Sequence, residues 1–75
     1  MTKEQLKNLF KAATIRRERD GWRDLEPRAM FDDIAQKWFV AIFFKLGRKQ
    51  QSVIVLEGLD EEEAKKVEGE FKKLA

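Results

Sequence analysis

The pattern of apolar and polar residues divides the chain into segments of helical and of strand-like periodicity. Near the start, Thr2 followed by Gln5 is the pattern of a capping box, in which two side chains satisfy the free amides at a helix start. The apolar residues that follow share one helical face: Leu6, Leu9, Phe10 and Ala13. A longer helix would bury the charge of Arg17 on that face at high cost, so we expect the helix to end between Ala13 and Ile15.

The next segment, TIRRERDGWRDL at residues 14 to 25, is rich in arginine. Asp20 and Gly21 favour a two-residue hairpin turn, since both central positions of a type I′ turn need positive φ. Residues 15 to 19 would then pair with residues 22 to 25 as a ribbon. Neither arm alternates cleanly, so an irregular loop anchored by Ile15, Trp22 and Leu25 is an equal alternative.

The segment from Pro27 onwards predicts a second helix. Proline suits the first turn of a helix, and five apolar residues recur at helical spacing: Met30, Phe31, Ile34, Ala35 and Trp38. The following run, WFVAIFFKL, either extends this into one long helix over residues 28 to 46 or forms a strand. Aromatic and β-branched residues favour the strand, which would pair residues 38 to 45 with residues 52 to 57 as a hairpin.

The last segment predicts a third helix. Asp60 and Glu63 form a box-like start, and one narrow stripe is apolar: Ala64, Val67, Phe71 and Leu74. Gly69 lies opposite that stripe, on the outer face. The whole chain is therefore expected to be one compact α+β domain, residues 1 to 75, in the order α, basic turn or ribbon, α, β-hairpin, α. A mostly α fold with the long helix 28 to 46 is the alternative.

The residue inventory argues against an enzyme. The chain has no His, Cys or Tyr, and Ser52 is its single serine, so triads built on Ser-His or Cys-His are excluded. The acidic runs, at residues 32 to 33 and 60 to 63, are expected to serve helix starts rather than to bind metal. We expect no cofactor, no metal and no small-molecule substrate.

The chain also gives expectations about its location. It has no cysteine, which fits a reducing, cytoplasmic setting. Its longest apolar run, residues 38 to 44, is too short to span a bilayer, and the first residues lack the apolar core of a signal peptide. No membrane partner is expected.

Charge suggests one of two binding surfaces. The net charge of +2 hides an uneven distribution, with +3 on residues 1 to 28, +1 on residues 29 to 59 and −2 on residues 60 to 75. Phosphates of a nucleic acid would attract the basic residues of the first part and of the hairpin loop, and Trp22 would stack on a base. The candidate residues are Arg16, Arg17, Arg19, Trp22, Arg23, Arg28, Arg48 and Lys49. Four interleaved acids offset much of this charge.

The predicted hairpin suggests the other surface, because both of its faces are apolar. Either three helices in so short a chain leave part of one face uncovered, available to a protein partner or to a second copy, or the helices sandwich the hairpin from both sides. The candidate interface residues are Phe39, Ala41, Phe43, Val53 and Val55. The leading hypothesis is therefore a non-enzymatic protein interaction module, which self-associates as a homodimer or acts as a small regulator of a protein partner. Nucleic-acid binding through residues 16 to 28 is the alternative.

Overall fold

The computed structural model describes residues 1 to 75 and has an α+β architecture. The elements in chain order are α1 (Lys3–Ala13), α2 (Arg17–Asp20), β1 (Arg23–Asp32), β2 (Lys37–Leu46), β3 (Lys49–Leu59) and α3 (Glu61–Leu74). The three strands form one antiparallel sheet in the order β1-β2-β3. The predicted order of elements is therefore wrong, since a third strand stands where a second long helix was expected.

The start and end of α1 follow from local hydrogen bonds. The Gln5 amide donates to the Thr2 hydroxyl over 3.1 Å, and the Thr2 amide donates to the Gln5 side-chain oxygen over 2.8 Å. At the other end, the helix stops at Ala13, and the Thr14 hydroxyl donates to the Phe10 carbonyl over 2.8 Å. The predicted capping box and the predicted end of the first helix are both confirmed.

The arginine-rich segment is neither ribbon nor open loop at its centre. Residues 17 to 20 form the single turn α2, which ends at Gly21 in the left-handed conformation, with φ of 72°. The Trp22 amide then donates to the Arg17 carbonyl over 2.9 Å. Glycine at this position therefore ends a helical turn, as it commonly does, instead of making a hairpin.

The second helix predicted from Pro27 onwards is wrong, and so is the alternative long helix over residues 28 to 46. Residues 23 to 32 form β1, in which Leu25, Pro27 and Ala29 face the core while the residues between them face outwards. This alternation has the period of a strand. Because β1 is an edge strand, the missing amide of Pro27 leaves no gap in the middle of the sheet.

A tight turn at Asp32 explains why this segment resembles a helix start. The Asp32 carboxylate accepts hydrogen bonds from the amides of Ile34 at 3.0 Å and of Ala35 at 3.3 Å. The same bonds would cap a helix, but here Gln36 adopts a φ of 55° and the chain reverses into β2. The apolar residues spaced at helical intervals therefore lie on β1, in this turn and on β2.

The predicted hairpin of residues 38 to 45 with residues 52 to 57 is confirmed. Ala41 pairs with Ile54 and Ile42 with Val53, and the β2–β3 turn passes through Gly47 with φ of 64°. The pairing shifts on both sides of Val40, which indicates β-bulges in the second half of β3.

Both long helices cover the same face of the sheet. Helix α3 packs on β1 and β2, while α1 packs on α3 and β3. The Phe10 and Phe71 rings, from α1 and α3, meet with centroids 5.6 Å apart. The core consists of Leu6, Phe10, Val40, Ile42, Ala64, Val67 and Phe71.

The result is a flat, two-layer molecule. Its principal extents are 33 × 29 × 15 Å, and its accessible surface is 5431 Å². A folded monomer of this mass is expected to expose about 4,800 Å². The excess arises because the sheet is covered on one side alone. No helix has both the length and the apolar character needed to cross a membrane.

Candidate functional site

The uncovered side of the sheet carries a continuous apolar patch, which we call the open face: Met30, Phe39, Ala41, Phe43 and Ile54. Pairing across the strands brings these residues together, since Met30 lies opposite Phe39, and Ala41 lies opposite Ile54. Met30 is 38% exposed and Ile54 is 53% exposed, while the two phenylalanines are half-buried. Apolar side chains in contact with one another and with water are typical of an interaction surface.

An ion pair borders the open face on β1. The Arg28 guanidinium donates to the Glu26 carboxylate over 2.7 Å and lies 4.9 Å from the centre of the Phe43 ring. The hydrogen bond from Arg28 and its positive charge lower the pKa of Glu26 below its ordinary value, and the same pair raises the pKa of Arg28. This border of the open face therefore carries two charged groups but no net charge.

The structure brings only part of the predicted protein interface together. Phe39, Ala41 and Phe43 lie on the open face, but Val53 and Val55 pack against the core on the helix-covered face. The register of the hairpin decides this, because Val53 pairs with the inward-facing Ile42. Sequence reasoning missed Met30 and Ile54. The alternation of polar and apolar residues in LEPRAM was the signal for Met30, whereas only the register identifies Ile54.

The free edge of β1 is protected against pairing with another strand. Pro27 offers no amide, and the Ala29 amide donates to the Glu68 carboxylate of α3 over 2.6 Å. The middle of this edge therefore offers no free amide, which makes it a poorer template for strand addition.

The second candidate surface is the basic end of the sheet, residues 16 to 24 and 45 to 49. The start of β1 lies beside the end of β2 there, as Arg23 pairs with Lys45, and the β2–β3 turn adjoins them. The basic end carries seven cations against the three acids Glu18, Asp20 and Asp24, a net charge of +4. The seven are Arg16, Arg17, Arg19, Arg23, Lys45, Arg48 and Lys49.

Most cations of the basic end are free of ion pairs. Arg19 pairs with Asp20 at 3.2 Å, and Lys45 with Asp24 at 3.8 Å. Arg23 donates instead to the Gly47 carbonyl over 2.8 Å, which ties the turn to β1. Arg17 donates to the oxygen of Ala75 over 3.5 Å. Five cations at this end therefore have no Asp or Glu side chain within 4 Å.

Two residues of the predicted nucleic-acid site differ from the prediction: Trp22 is partly covered, and Arg28 lies outside the basic end. The Trp22 ring stacks on Phe44, with centroids 3.7 Å apart and an interplanar angle of 5°, so one of its ring faces is covered. Arg28 belongs to the open face, away from the other arginines. The structure gathers Arg16, Arg17, Arg19, Arg23, Arg48 and Lys49 at the basic end and adds Lys45, which the sequence reasoning missed.

The opposite end of the sheet is acidic. Residues 32 to 37 and 57 to 63 meet there, since Asp32 pairs with Lys37, and Trp38 with Leu59. We call this the acidic end. Lys65 and Lys66, at the next turn of α3, adjoin this end and offset part of its charge. Within the two ranges themselves, seven acids against the single cation Lys37 give a net charge of −6: Asp32, Asp33, Glu57, Asp60, Glu61, Glu62 and Glu63. The molecule therefore has a strong charge polarity along its strands.

None of the acidic side chains form a group arranged to hold a metal ion. The comparisons with known proteins add no family, because no protein-family model, no curated protein and no solved structure matches the chain.

Proposed function

We propose that this protein is a non-enzymatic interaction domain that binds a protein partner through the open face. The observation that carries the proposal is the apolar patch on the uncovered side of the sheet. Both long helices cover the other side, and only 11 of 75 residues are buried, so the isolated chain hides little of its apolar surface. Covering the patch would remove Met30, Ile54 and two aromatic rings from water, which is the main driving force of association.

The polar rim fits the same function. Glu26 pairs with Arg28 and Lys45 pairs with Asp24, so a partner that covers the apolar centre meets charges that already have a partner of opposite sign. Large apolar residues at the centre and polar residues around them are the common arrangement of protein interfaces.

The test uses two matched substitutions of exposed isoleucines. Ile54→Glu places a charge in the middle of the open face, while Ile15→Glu makes the same change at a residue that is 80% exposed beside α1. A partner recovered from cells that make this protein is identified, purified and titrated by calorimetry against each variant. We expect Ile54→Glu to weaken binding at least about tenfold, which is about 1.4 kcal/mol, and Ile15→Glu to leave it unchanged.

Equal affinity of the wild type and Ile54→Glu would show that the partner does not use the open face. Circular dichroism of both variants checks that they remain folded, and Met30→Glu provides a second substitution on the same face.

The basic end favours a second candidate function, binding to the phosphates of a nucleic-acid duplex. What supports it is the number of cations without an Asp or Glu partner, five of them at one end, four of which are arginines. The guanidinium group matches the geometry of a phosphate with two parallel hydrogen bonds. With one face of Trp22 covered by Phe44, contacts to the backbone of a duplex are better supported than base stacking on a single strand.

A further inference from the structure

We infer that the partner of the open face is a second copy of this chain, packed face to face with its strands running antiparallel to those of the first. The inference rests on the proposed function and names its partner. Two properties of the molecule lead to it: the area of the open face and the opposite charges at the two ends of the sheet.

The area of the face matches a small, reversible dimer. Three strands about 4.8 Å apart and about ten residues long present a face of roughly 500 Å². Two such faces would bury roughly 1,000 Å² in total, which is at the lower limit for a specific interface. A dimer of this size exchanges with monomer, so its population should depend on protein concentration.

The neutral rim permits contact between identical faces. In a two-fold dimer each residue near the axis meets its own copy or a close neighbour, so an unpaired charge on the face would repel itself. Each charge that flanks the patch on β1 and β2 lies beside one of opposite sign: Glu26 pairs with Arg28, and Lys45 pairs with Asp24 at 3.8 Å. At the other end of β2, Lys37 lies across from Asp32 in the strand register. The centre of the patch, Ala41, is small and apolar and is closed over by larger neighbours.

The charge polarity then selects the direction of packing. With the two-fold axis parallel to the strands, the basic ends would face one another, as would the acidic ends. With the axis in the interface and perpendicular to the strands, the end of charge +4 in each copy lies against the end of charge −6 in the other. The second arrangement is the electrostatically favourable one.

Sedimentation equilibrium of the full chain tests the dimer, over a range from about 10 μM to about 1 mM. The wild type and Ile15→Glu should shift from monomer to dimer as concentration rises. Ile54→Glu and Met30→Glu should stay folded and dissociate at least about tenfold more readily. A dimer that survives both open-face substitutions overturns the inference, and so does a wild type that is monomeric throughout the range.

Salt tests the direction of packing. Between about 50 and 500 mM salt the antiparallel dimer should weaken at least about threefold, because screening removes the attraction between opposite ends. A dimer that keeps its affinity or tightens with salt overturns the antiparallel arrangement, since screening relieves repulsion between like ends.

These outcomes are distinguishable from failure of the proposed function. The wild type could stay monomeric and yet bind an identified partner that the Ile54→Glu variant no longer binds. In that case the second copy is excluded and the interaction function stands. If neither a dimer nor any partner depends on the open face, both proposals are wrong.

Discussion

At the scale of single residues, Gly69 gives a sharp prediction because it lies in a helix with no structural need for glycine. A Cβ at this position would meet no atom within 4 Å, and its φ is not positive. Gly69→Ala should therefore stabilise the domain by about 1 kcal/mol, since alanine loses less conformational freedom in a helix. For a domain of this size the melting temperature should rise by about 4 to 8 °C, measured by thermal unfolding.

The control is Gly58→Ala in β3, where a Cβ also meets nothing but φ is 68°. Here the side chain strains a left-handed backbone, so this variant should lower the melting temperature. If Gly69→Ala failed to raise the melting temperature, tertiary contacts rather than helix propensity would govern that position.

The positions of single residues could be predicted where neighbouring residues along the chain determine them. The outward position of Gly69 and the capping pair of Thr2 and Gln5 follow from sequence spacing alone. The position of Arg28 does not. It lies six residues after Trp22, within the same basic stretch, yet strand alternation turns it onto the open face, and that alternation was masked by the helix-like pattern after Pro27.

At the scale of elements, the contact between α3 and the edge of β1 depends on Glu68. Its carboxylate accepts the Ala29 amide over 2.6 Å, and its side chain is only 18% exposed. Glu68→Ala leaves that amide without its acceptor, so it should destabilise the domain by about 1 to 3 kcal/mol in urea unfolding.

Glu70→Ala is a close control on the same helix. Glu70 is 20% exposed and pairs with a lysine at 3.4 Å, as Glu68 pairs with Lys72 at 3.8 Å, but it accepts no backbone amide. Its loss should therefore cost at most about 1 kcal/mol. Equal effects of the two substitutions would mean that the bond to Ala29 contributes nothing to stability.

Elements were predictable from sequence when one rule dominated. The two long helices and the hairpin of β2 with β3 each have a clear periodicity or composition. β1 was missed because two patterns overlap in its second half. Met30, Phe31 and Ile34 have helical spacing, and Asp32 can cap a helix or close a turn with the same hydrogen bonds. The short alternation in LEPRAM also fits a strand, and the packing of Pro27 and Ala29 on the helix-covered face decides between the two patterns.

At the scale of the whole molecule, the charge polarity is the main feature that sequence order hides. Along the chain the charge changes only from +3 to −2. Folding gathers the start of β1 and the β2–β3 turn at one end, and the β1–β2 turn and the start of α3 at the other. The ends then reach +4 and −6. The strand pairing creates this polarity, so the missed strand β1 also concealed it.

The basic end makes a quantitative prediction for the nucleic-acid candidate. Arg48→Gln with Lys49→Gln removes two exposed cations from the β2–β3 turn without touching the core. If both contact phosphates, the slope of log affinity against log salt for a duplex should fall by up to about 1.8 units, because each lost contact releases about 0.9 fewer counterions. Fluorescence anisotropy at about 50 and 200 mM salt measures it, at protein concentrations below the range of self-association.

The matched control removes the same charge from another surface. Lys65→Gln with Lys66→Gln changes two adjacent cations of α3, and Lys65 lies over the Trp38 ring, towards the acidic end. If the duplex binds the basic end, the slope of log affinity against log salt should change little in this variant. Because counterion release depends on which charges touch phosphate, equal slopes in the two double variants would place the duplex elsewhere. If the wild type does not bind a duplex at low salt, the nucleic-acid candidate is wrong. The cations of the basic end are then a solvated surface that contributes only to the charge polarity of the molecule.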